Sequence, residues 1–247
     1  MPNEAQAVEA AYARFFTAFN SQDPGQWAAA LHYPHVRVAA IGEPSVIERA
    51  ADLAAAMRWD RVRDTGWVRS VGAPPTLLHR GGDRAHVLGG WTRYDANGKT
   101  ILTNQVAYVI TRIADEWGIQ ARFGIDGPPD DSHAARAVAL IEDFFDALND
   151  HDWVACTNLM NFPTVLTDVG MARVWRSAEE CAQALDQGPW HFLSEQRATA
   201  VQSGPKAVNV ALQVALDGGD ETQNALFLVT ERDGHWGIQG RSIFAAA

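Results

Sequence analysis

The sequence predicts an α+β protein made of two tandem, cone-shaped α+β barrel domains, each with N-terminal helices packed on a strongly curved, mostly antiparallel sheet. Two observations predict this fold class. The two halves of the chain match each other at several places in the same order, and helix-like patterns precede strand-like patterns in each half. A chain of 247 residues is long enough for two small domains. We expect these domains at residues 1–129 and 130–247.

The repeat is visible at four places. The sequence distance between matched segments is 129 residues at the first two places (162 − 33) and 119 at the last (236 − 117), as loop deletions in the second copy produce. In order, the matches are AYARFFTAFNSQD from Ala11 with ALIEDFFDALNDHD from Ala139, YPHV from Tyr33 with FPTV from Phe162, Ser45-x-x-Glu48 with Ser177-x-x-Glu180, and WGIQAR from Trp117 with WGIQGR from Trp236.

Each copy begins with helices. Apolar residues recur at helical spacing from about Ala5 to Asn20, which predicts an amphipathic helix, and the second copy repeats the pattern. A short helix follows in each copy. The two Ser-x-x-Glu patterns have the form of a capping box, so we expect each of them to open a further helix. The segment GPPDDSH breaks regular structure, and it places the boundary between the copies near Asp130.

Strands follow the helices. The runs WVRSVG, TLLHR, RAHVLGGWTRY, TNQVAYVITRI and EWGIQARFGI carry the branched and aromatic residues of strands, and GGD and DANG are turn signals. The second copy has HFLSEQ, RATAVQ, AVNVALQVAL, NALFLVTER and HWGIQGRSIF at the equivalent places. A curved sheet that wraps helices leaves a hollow on its concave side.

These features resemble the nuclear transport factor 2-like superfamily, also called SnoaL-like or ketosteroid-isomerase-like. The resemblance is carried by the FF-x-A-F-N and FF-x-A-L-N helices, the H-x-x-P and N-x-P entries to the first strands, and the closing W-G-I-Q strands. It implies a small-molecule pocket and, in the enzymes, acid–base chemistry without a cofactor. The superfamily also holds binding-only modules, so the fold alone does not select a function.

Composition excludes several classes of function. A net charge of −10 without a basic cluster argues against nucleic-acid binding, and no stretch approaches the length of a membrane span. The N-terminus lacks the pattern of a secretory signal, so we expect a cytoplasmic protein with two reduced cysteines. His32-x-x-His35 has a spacing seen in metal sites, but Pro34 interrupts it and no third ligand is evident, so no metal is predicted.

Four residues are candidate catalytic groups. His35 and Arg37 lie two apart on the first strand and therefore share one of its faces. His86 lies on a later strand of the first copy. Asp168 ends the first strand of the second copy, near the place where the resemblance implies a catalytic Asp base; the first copy has Ala39 there.

A second set is predicted to bind substrate. Trp91 and Arg93 share one face of their strand, His86 and Tyr94 share the other, and the tryptophans can stack on a flat ligand. Arg122 and Arg241 are matched between the copies, which a shared ion pair explains as well as function does. The predicted substrate-binding residues are Trp67, Trp91, Arg93, Tyr94, Tyr108, Arg122 and Trp190.

The primary hypothesis is a cofactor-independent lyase, dehydratase or isomerase that acts on an aromatic or polycyclic small molecule. A base (His35, His86 or Asp168) removes a proton, while Arg37, Arg93 or Tyr108 stabilises the developing oxyanion. The alternatives are a non-catalytic small-molecule binding or carrier protein and a structural assembly module. The two copies can pair within one chain as an intramolecular pseudo-dimer, or the chain can form a homo-oligomer.

Overall fold

The structure, a computed structural model, describes residues 3–188, 198–215 and 222–246. In these ranges it contains two curved sheets, each preceded in the chain by helices. The helices are α1 Glu4–Asn20, α2 Pro24–Ala29, α3 Ala50–Ala56, α4 Trp59–Arg63, α5 Ala134–Asn149, α6 Trp153–Asn158 and α7 Ala178–Asp186. The strands are β1 Leu31–Ala39, β2 Ser45–Ile47, β3 Arg69–Gly72, β4 Thr76–Arg80, β5 Arg84–Tyr94, β6 Thr100–Ile113, β7 Glu116–Gly124, β8 Met160–Asp168, β9 Met171–Trp175, β10 Thr199–Ser203, β11 Ala207–Ala215, β12 Thr222–Arg232 and β13 His235–Ala245.

The two sheets share one topology. The first sheet runs β2-β1-β7-β6-β5-β3, with β4 also paired to β5, and the second runs β10-β11-β12-β13-β8-β9. In each sheet the first strand of the copy pairs parallel to the last one, β1 with β7 and β8 with β13, and the other pairings are antiparallel. The predicted α+β class and the two tandem copies are therefore confirmed. The position of the boundary near Asp130 stays a prediction.

The long helix of each copy buries the apolar stripe that the sequence predicts. α1 begins at a capping box formed by Asn3 and Gln6, and it buries Phe15 and Phe19 against the first sheet. Aromatic side chains of this size contribute the largest apolar areas of a small core. α5 repeats the arrangement with Phe144 and Leu148 in the second core.

One predicted helix start is wrong. Ser45 does not cap a helix, because Ser45–Ile47 form β2 and pair with β1; the helix that follows begins at Ala50 without a side-chain cap. In the second copy the prediction holds, since the Ser177 hydroxyl accepts a hydrogen bond from the backbone N–H of Glu180 at 3.2 Å. The predicted strand HFLSEQ lies outside the described residues.

The sheets pack on each other through the faces that point away from the helices. A third apolar cluster joins residues of both copies, among them Val109 and Phe123 from the first sheet and Leu226 and Leu228 from the second. Polar side chains cross the contact as well, since the Asn209 amide donates to the Phe123 carbonyl at 3.1 Å. The copies thus form a pseudo-dimer within one chain.

Candidate functional site

The first copy contains a cavity between α1 and the concave side of its sheet, with a volume of about 130 Å³. Aromatic rings of α1 form one wall, and charged and polar side chains of the strands form the other. The described residues that line it are Phe15, Phe16, Phe19, Arg37, Val38, Ser70, Trp91, Arg93, Asn104, Val106, Arg122, Gly124 and Asp126. Three guanidinium groups and one carboxylate therefore face one small space.

Arg122 lies deepest of the three arginines. Its guanidinium carbon is 5.6 Å from the centroid of the Phe15 ring and 6.0 Å from that of Trp27. Its Nε donates a hydrogen bond to Nε2 of His35 at 3.2 Å. Burial and, after it, the charge of Arg37 lower the pKa of Arg122 to about 10. The group stays cationic at neutral pH, and within the described residues no carboxylate forms an ion pair with it.

Arg93 lies across the cavity on β5. Its guanidinium carbon is 4.7 Å from the centroid of the Trp91 ring and 5.9 Å from that of Phe19. Its buried Nε has no hydrogen-bond partner among the described residues. Burial and the nearby charge of Arg37 lower its pKa. A stacked guanidinium of this kind can still donate hydrogen bonds in its own plane.

The third arginine is paired. Arg37 is half exposed, and its guanidinium lies 3.4 Å from the carboxylate of Asp126. The amide of Asn104 donates to the other carboxylate oxygen of Asp126 at 2.7 Å, and the backbone N–H of Asp126 donates back to Asn104 at 2.9 Å. Among the described lining residues Asp126 is the only acid, so Arg93 and Arg122 remain two unbalanced positive charges.

His35 does not line the cavity, although Arg37, two residues further along β1, does. It is 1% exposed behind Arg122, and its Nε2 accepts the hydrogen bond from that arginine. Burial, followed by the charge of Arg122, holds the pKa of His35 well below 6.5. A neutral imidazole whose acceptor nitrogen is already occupied is poorly suited to remove a substrate proton. His35 thus contacts Arg122, which lines the cavity, but does not line the cavity itself.

Tyr108 and Trp67 lie in the core beside the cavity. Tyr108 is fully buried, its ring makes an edge contact with Tyr12 at 5.2 Å, and its hydroxyl has no hydrogen-bond partner among the described residues. Trp67 stacks on Trp59, with ring centroids 5.9 Å apart, and its Nε1 donates to the hydroxyl of Ser70 at 3.0 Å. Trp67 therefore contacts two residues that line the cavity, Ser70 and Phe19, whose ring centroid lies 5.4 Å from that of Trp67.

Two further predicted residues of the first copy are not brought to this cavity. His86 is fully buried on the opposite face of β5, where its Nδ1 lies 3.0 Å from Nδ1 of His79 and its ring lies 4.6 Å from that of Phe244 in the second copy. Tyr94 lies at the end of β5 under the guanidinium of Arg69. These positions follow from strand alternation, which points residues 86 and 94 away from residues 91 and 93.

Asp168 lies in the second copy. Its carboxylate pairs with the guanidinium of Arg84, and this ion pair crosses from one copy to the other. It also borders a second cavity, but it is distant in the fold from the arginines of the first. Trp190 lies outside the described residues. Four predicted site residues, Arg37, Trp91, Arg93 and Arg122, thus line the first cavity together.

Other residues that line the cavity are not among the predicted site residues. Helical spacing predicts Phe15 and Phe19 as core residues alone, and no site prediction covers Ser70, Asn104 and Asp126. Asp126 had one available signal: it follows the closing WGIQ strand of the first copy, while the equivalent position of the second copy is Ala245.

Neither a metal site nor a membrane-spanning helix is found in the described part of the chain. No cluster of three or more His, Cys, Asp or Glu residues there could hold a metal ion. None of the helices described there has the length and apolar character needed to cross a membrane.

Comparison with known proteins shows that the first copy is similar to one family. Residues 3–122 match the family model described as NTF2-like protein (DUF6841). No curated protein matches the chain.

Several solved structures are similar to about half of the chain. A protein of unknown function with a cystatin-like fold from Nostoc punctiforme is 14% identical over 52% of this chain and 94% of its own, with a TM-score of 0.43. Aln2 from a Streptomyces species is 20% identical over 51% and 92%, with a TM-score of 0.41. An NTF2-like protein of unknown function from Pseudomonas putida is 12% identical over 47% and 88%, with a TM-score of 0.37.

Proposed function

We propose that this chain, whose first copy belongs to the NTF2-like proteins and whose second copy repeats its architecture, binds a planar, negatively charged aromatic small molecule in the cavity of the first copy. One observation carries the proposal: two partly buried arginines, Arg93 and Arg122, face the cavity without an ion-pair partner among the described residues.

The electrostatics favour an anion. A charge removed from water costs several kcal/mol unless a partner of opposite sign and hydrogen bonds replace the lost hydration. Arg122 has one hydrogen bond, to a neutral imidazole, and the Nε of Arg93 has none. A carboxylate or phenolate bound between them supplies both the charge and the acceptor oxygens. Charge-assisted hydrogen bonds of this type contribute about 1.5–3 kcal/mol each.

The shape and chemistry of the walls favour a flat ring. Phe15, Phe19 and Trp91 present aromatic surface, and such rings pack on one another at centroid distances of about 4.5–7 Å. The arginines lie over these same rings, so an aromatic anion can contact the apolar wall while its charged group reaches the guanidinium nitrogens.

A second candidate function, proton-transfer catalysis, is favoured by Asp126. Its carboxylate borders the cavity opposite a cationic group suited to stabilise an enolate oxygen. Asp126 then acts as the general base, the role that the sequence predicts for His35, His86 or Asp168. In this scheme Asp126 accepts a proton from the carbon next to a carbonyl, Arg122 stabilises the resulting oxyanion, and no cofactor takes part.

Binding is tested with matched charged and neutral probes. We expect isothermal titration calorimetry to show one benzoate site per chain in the first copy, with benzamide binding at least about tenfold more weakly because it lacks the charge. Arg93→Gln should weaken benzoate binding about tenfold or more, whereas Arg61→Gln, at an exposed position outside the cavity, should leave it unchanged. Benzoate affinity weaker than about 1 mM, or equal affinity for benzamide, contradicts the proposal.

Turnover is tested separately with phenylpyruvate, a planar aromatic anion whose benzylic protons can be removed. NMR in deuterium oxide follows the exchange of these protons with solvent. The enzyme hypothesis expects faster exchange with the protein than without it, and loss of that acceleration in Asp126→Asn while binding persists. An unchanged exchange rate in the wild-type protein that binds the probe leaves binding alone as the function.

A further inference from the structure

The second copy contains a cavity of its own, with a volume of about 150 Å³. The described residues that line it are Phe144, Leu148, Leu166, Asp168, Leu185, Gln223, Arg241 and Ile243. Most of this surface is apolar, in contrast to the polar wall of the first cavity.

The two cavities occupy equivalent positions in the repeat. Six of the eight residues that line the second cavity are the counterparts of residues that line the first, at a sequence distance of 129 for the helix and first strand and 119 for the last two strands. The pairs are Phe15 with Phe144, Phe19 with Leu148, Arg37 with Leu166, Asn104 with Gln223, Arg122 with Arg241 and Gly124 with Ile243.

The duplicated cavity keeps one of the three arginines. Arg37 is replaced by Leu166, and no described residue that lines the second cavity supplies a counterpart of the Arg93 charge. The strand partners of the remaining arginine are also less polar, since Phe227 lies beside Arg241 where Tyr108 lies beside Arg122. The second cavity is therefore a more apolar version of the first with a single guanidinium.

Arg241 is a buried cation without a counter-ion in the described part of the chain. Arg241 is 3% exposed. Its guanidinium carbon lies 4.8 Å from the centroid of the Trp175 ring, and its Nη1 lies 3.7 Å from Sδ of Met160. No described carboxylate forms an ion pair with it, and the Asp168 carboxylate at the border of the cavity is engaged by Arg84. A sulfur atom and an aromatic face are weak partners for a buried charge.

The two cysteines near Arg241 do not neutralise it. Both are free and buried, and burial raises the pKa of Cys156 to about 12 and also raises that of Cys181. Both thiols are therefore uncharged at neutral pH. A buried charge normally has a partner of opposite sign, and Arg241 has none among the described residues.

We propose that the cavity of the second copy is a separate ligand site, which binds a monoanion with an aliphatic chain, such as a short-chain monocarboxylate. The carboxylate pairs with Arg241, and the chain packs against Leu148, Leu166 and Ile243. The site rests on its own residues and does not require that the first cavity bind a ligand.

The test is a calorimetric titration of the full chain with hexanoate, with hexan-1-ol as the uncharged control. We expect a hexanoate site that depends on Arg241, with hexanol binding at least about tenfold more weakly. Arg241→Met should reduce hexanoate affinity at this site about tenfold or more, while Arg61→Met, at an exposed position outside both cavities, should leave it within about twofold.

A second variant, Leu166→Trp, tests the site without removing Arg241, in case Arg241→Met does not fold. Its indole ring is larger than the leucine side chain and fills the cavity, so it should also abolish hexanoate binding. Circular dichroism confirms that each variant is folded. Hexanoate affinity that survives both variants, equal affinity for hexanol, or the absence of any hexanoate binding to the wild-type chain overturns the proposal.

Discussion

We expect the charge of Arg122, which donates a hydrogen bond to His35, to lower the stability of the fold. At neutral pH Arg122 is charged in both the folded and the unfolded chain, because its pKa is lowered only to about 10 in the fold. The cost of burying that charge is therefore fully present at pH 7. At about 1.4 kcal/mol for each pKa unit below 12.5, it amounts to roughly 3 kcal/mol.

The perturbation is the double change His35→Leu/Arg122→Met, which replaces both partners of the hydrogen bond with apolar groups of similar size. Replacing both partners is nearly neutral in itself, whereas removing one leaves the other unsatisfied. The two contacts with the rings of Phe15 and Trp27 are lost, at about 1 kcal/mol in total. We therefore expect the double variant to be about 2 kcal/mol more stable than the wild-type chain.

Urea denaturation followed by circular dichroism measures the change in stability, and calorimetry with benzoate measures the change in binding. The variant should unfold at higher urea and bind benzoate about 10- to 100-fold more weakly. Arg61→Met, at an exposed position, is the control and should shift stability by less than about 0.5 kcal/mol. A double variant that is clearly less stable than the wild type, or that keeps its benzoate affinity, refutes the reasoning.

Three further predictions concern single groups. His35→Gln, which can still accept a hydrogen bond, should keep benzoate affinity within about threefold, while His35→Leu should weaken it more; equal affinities would exclude a positioning role. The pKa of His79 is lowered to about 4, mainly by burial, and burial also lowers the pKa of His86 well below 6.5, so the unfolded chain binds protons at these histidines more readily than the folded chain as the pH falls below 6.5. Urea denaturation should thus show stability falling by about 2 kcal/mol through His79 between about pH 6.5 and 5, with a further fall through His86, and His79→Phe/His86→Phe should remove both contributions. Asp168→Asn should lower stability by about 1 kcal/mol through the partly exposed ion pair between the copies and leave benzoate binding unchanged; a folded variant that loses benzoate binding would contradict the placement of Asp168 outside the first site.

The fold could be predicted from the sequence because the duplication repeats each motif in both copies. The FF-x-A-F-N and FF-x-A-L-N helices and the two WGIQ strands identified the copies, and strand alternation correctly placed Trp91 and Arg93 on one face. The capping-box pattern failed at Ser45 because a pattern of a few residues is local, whereas the pairing of β2 with β1 depends on residues brought together by the fold.

Only part of the cavity could be predicted from the sequence, because the fold brings together lining residues that lie far apart in the chain. Arg122 was noted as a residue that both copies keep, but its exposure to the cavity follows from the depth of the cone and not from any local pattern. Asn104 and Asp126 lie 22 residues apart and meet because β6 and β7 are neighbours. His35 was placed on the correct strand, yet the sequence could not show that Arg122 covers its acceptor nitrogen.

The most direct test of the binding site is a crystal structure of the full chain soaked with 4-bromobenzoate, with anomalous scattering used to locate the bromine. The account predicts a bromine peak against the aromatic wall of Phe15 and Trp91, with the carboxylate between Arg93 and Arg122. Bromine found only outside the first cavity, or a carboxylate bound there away from both arginines, would contradict it.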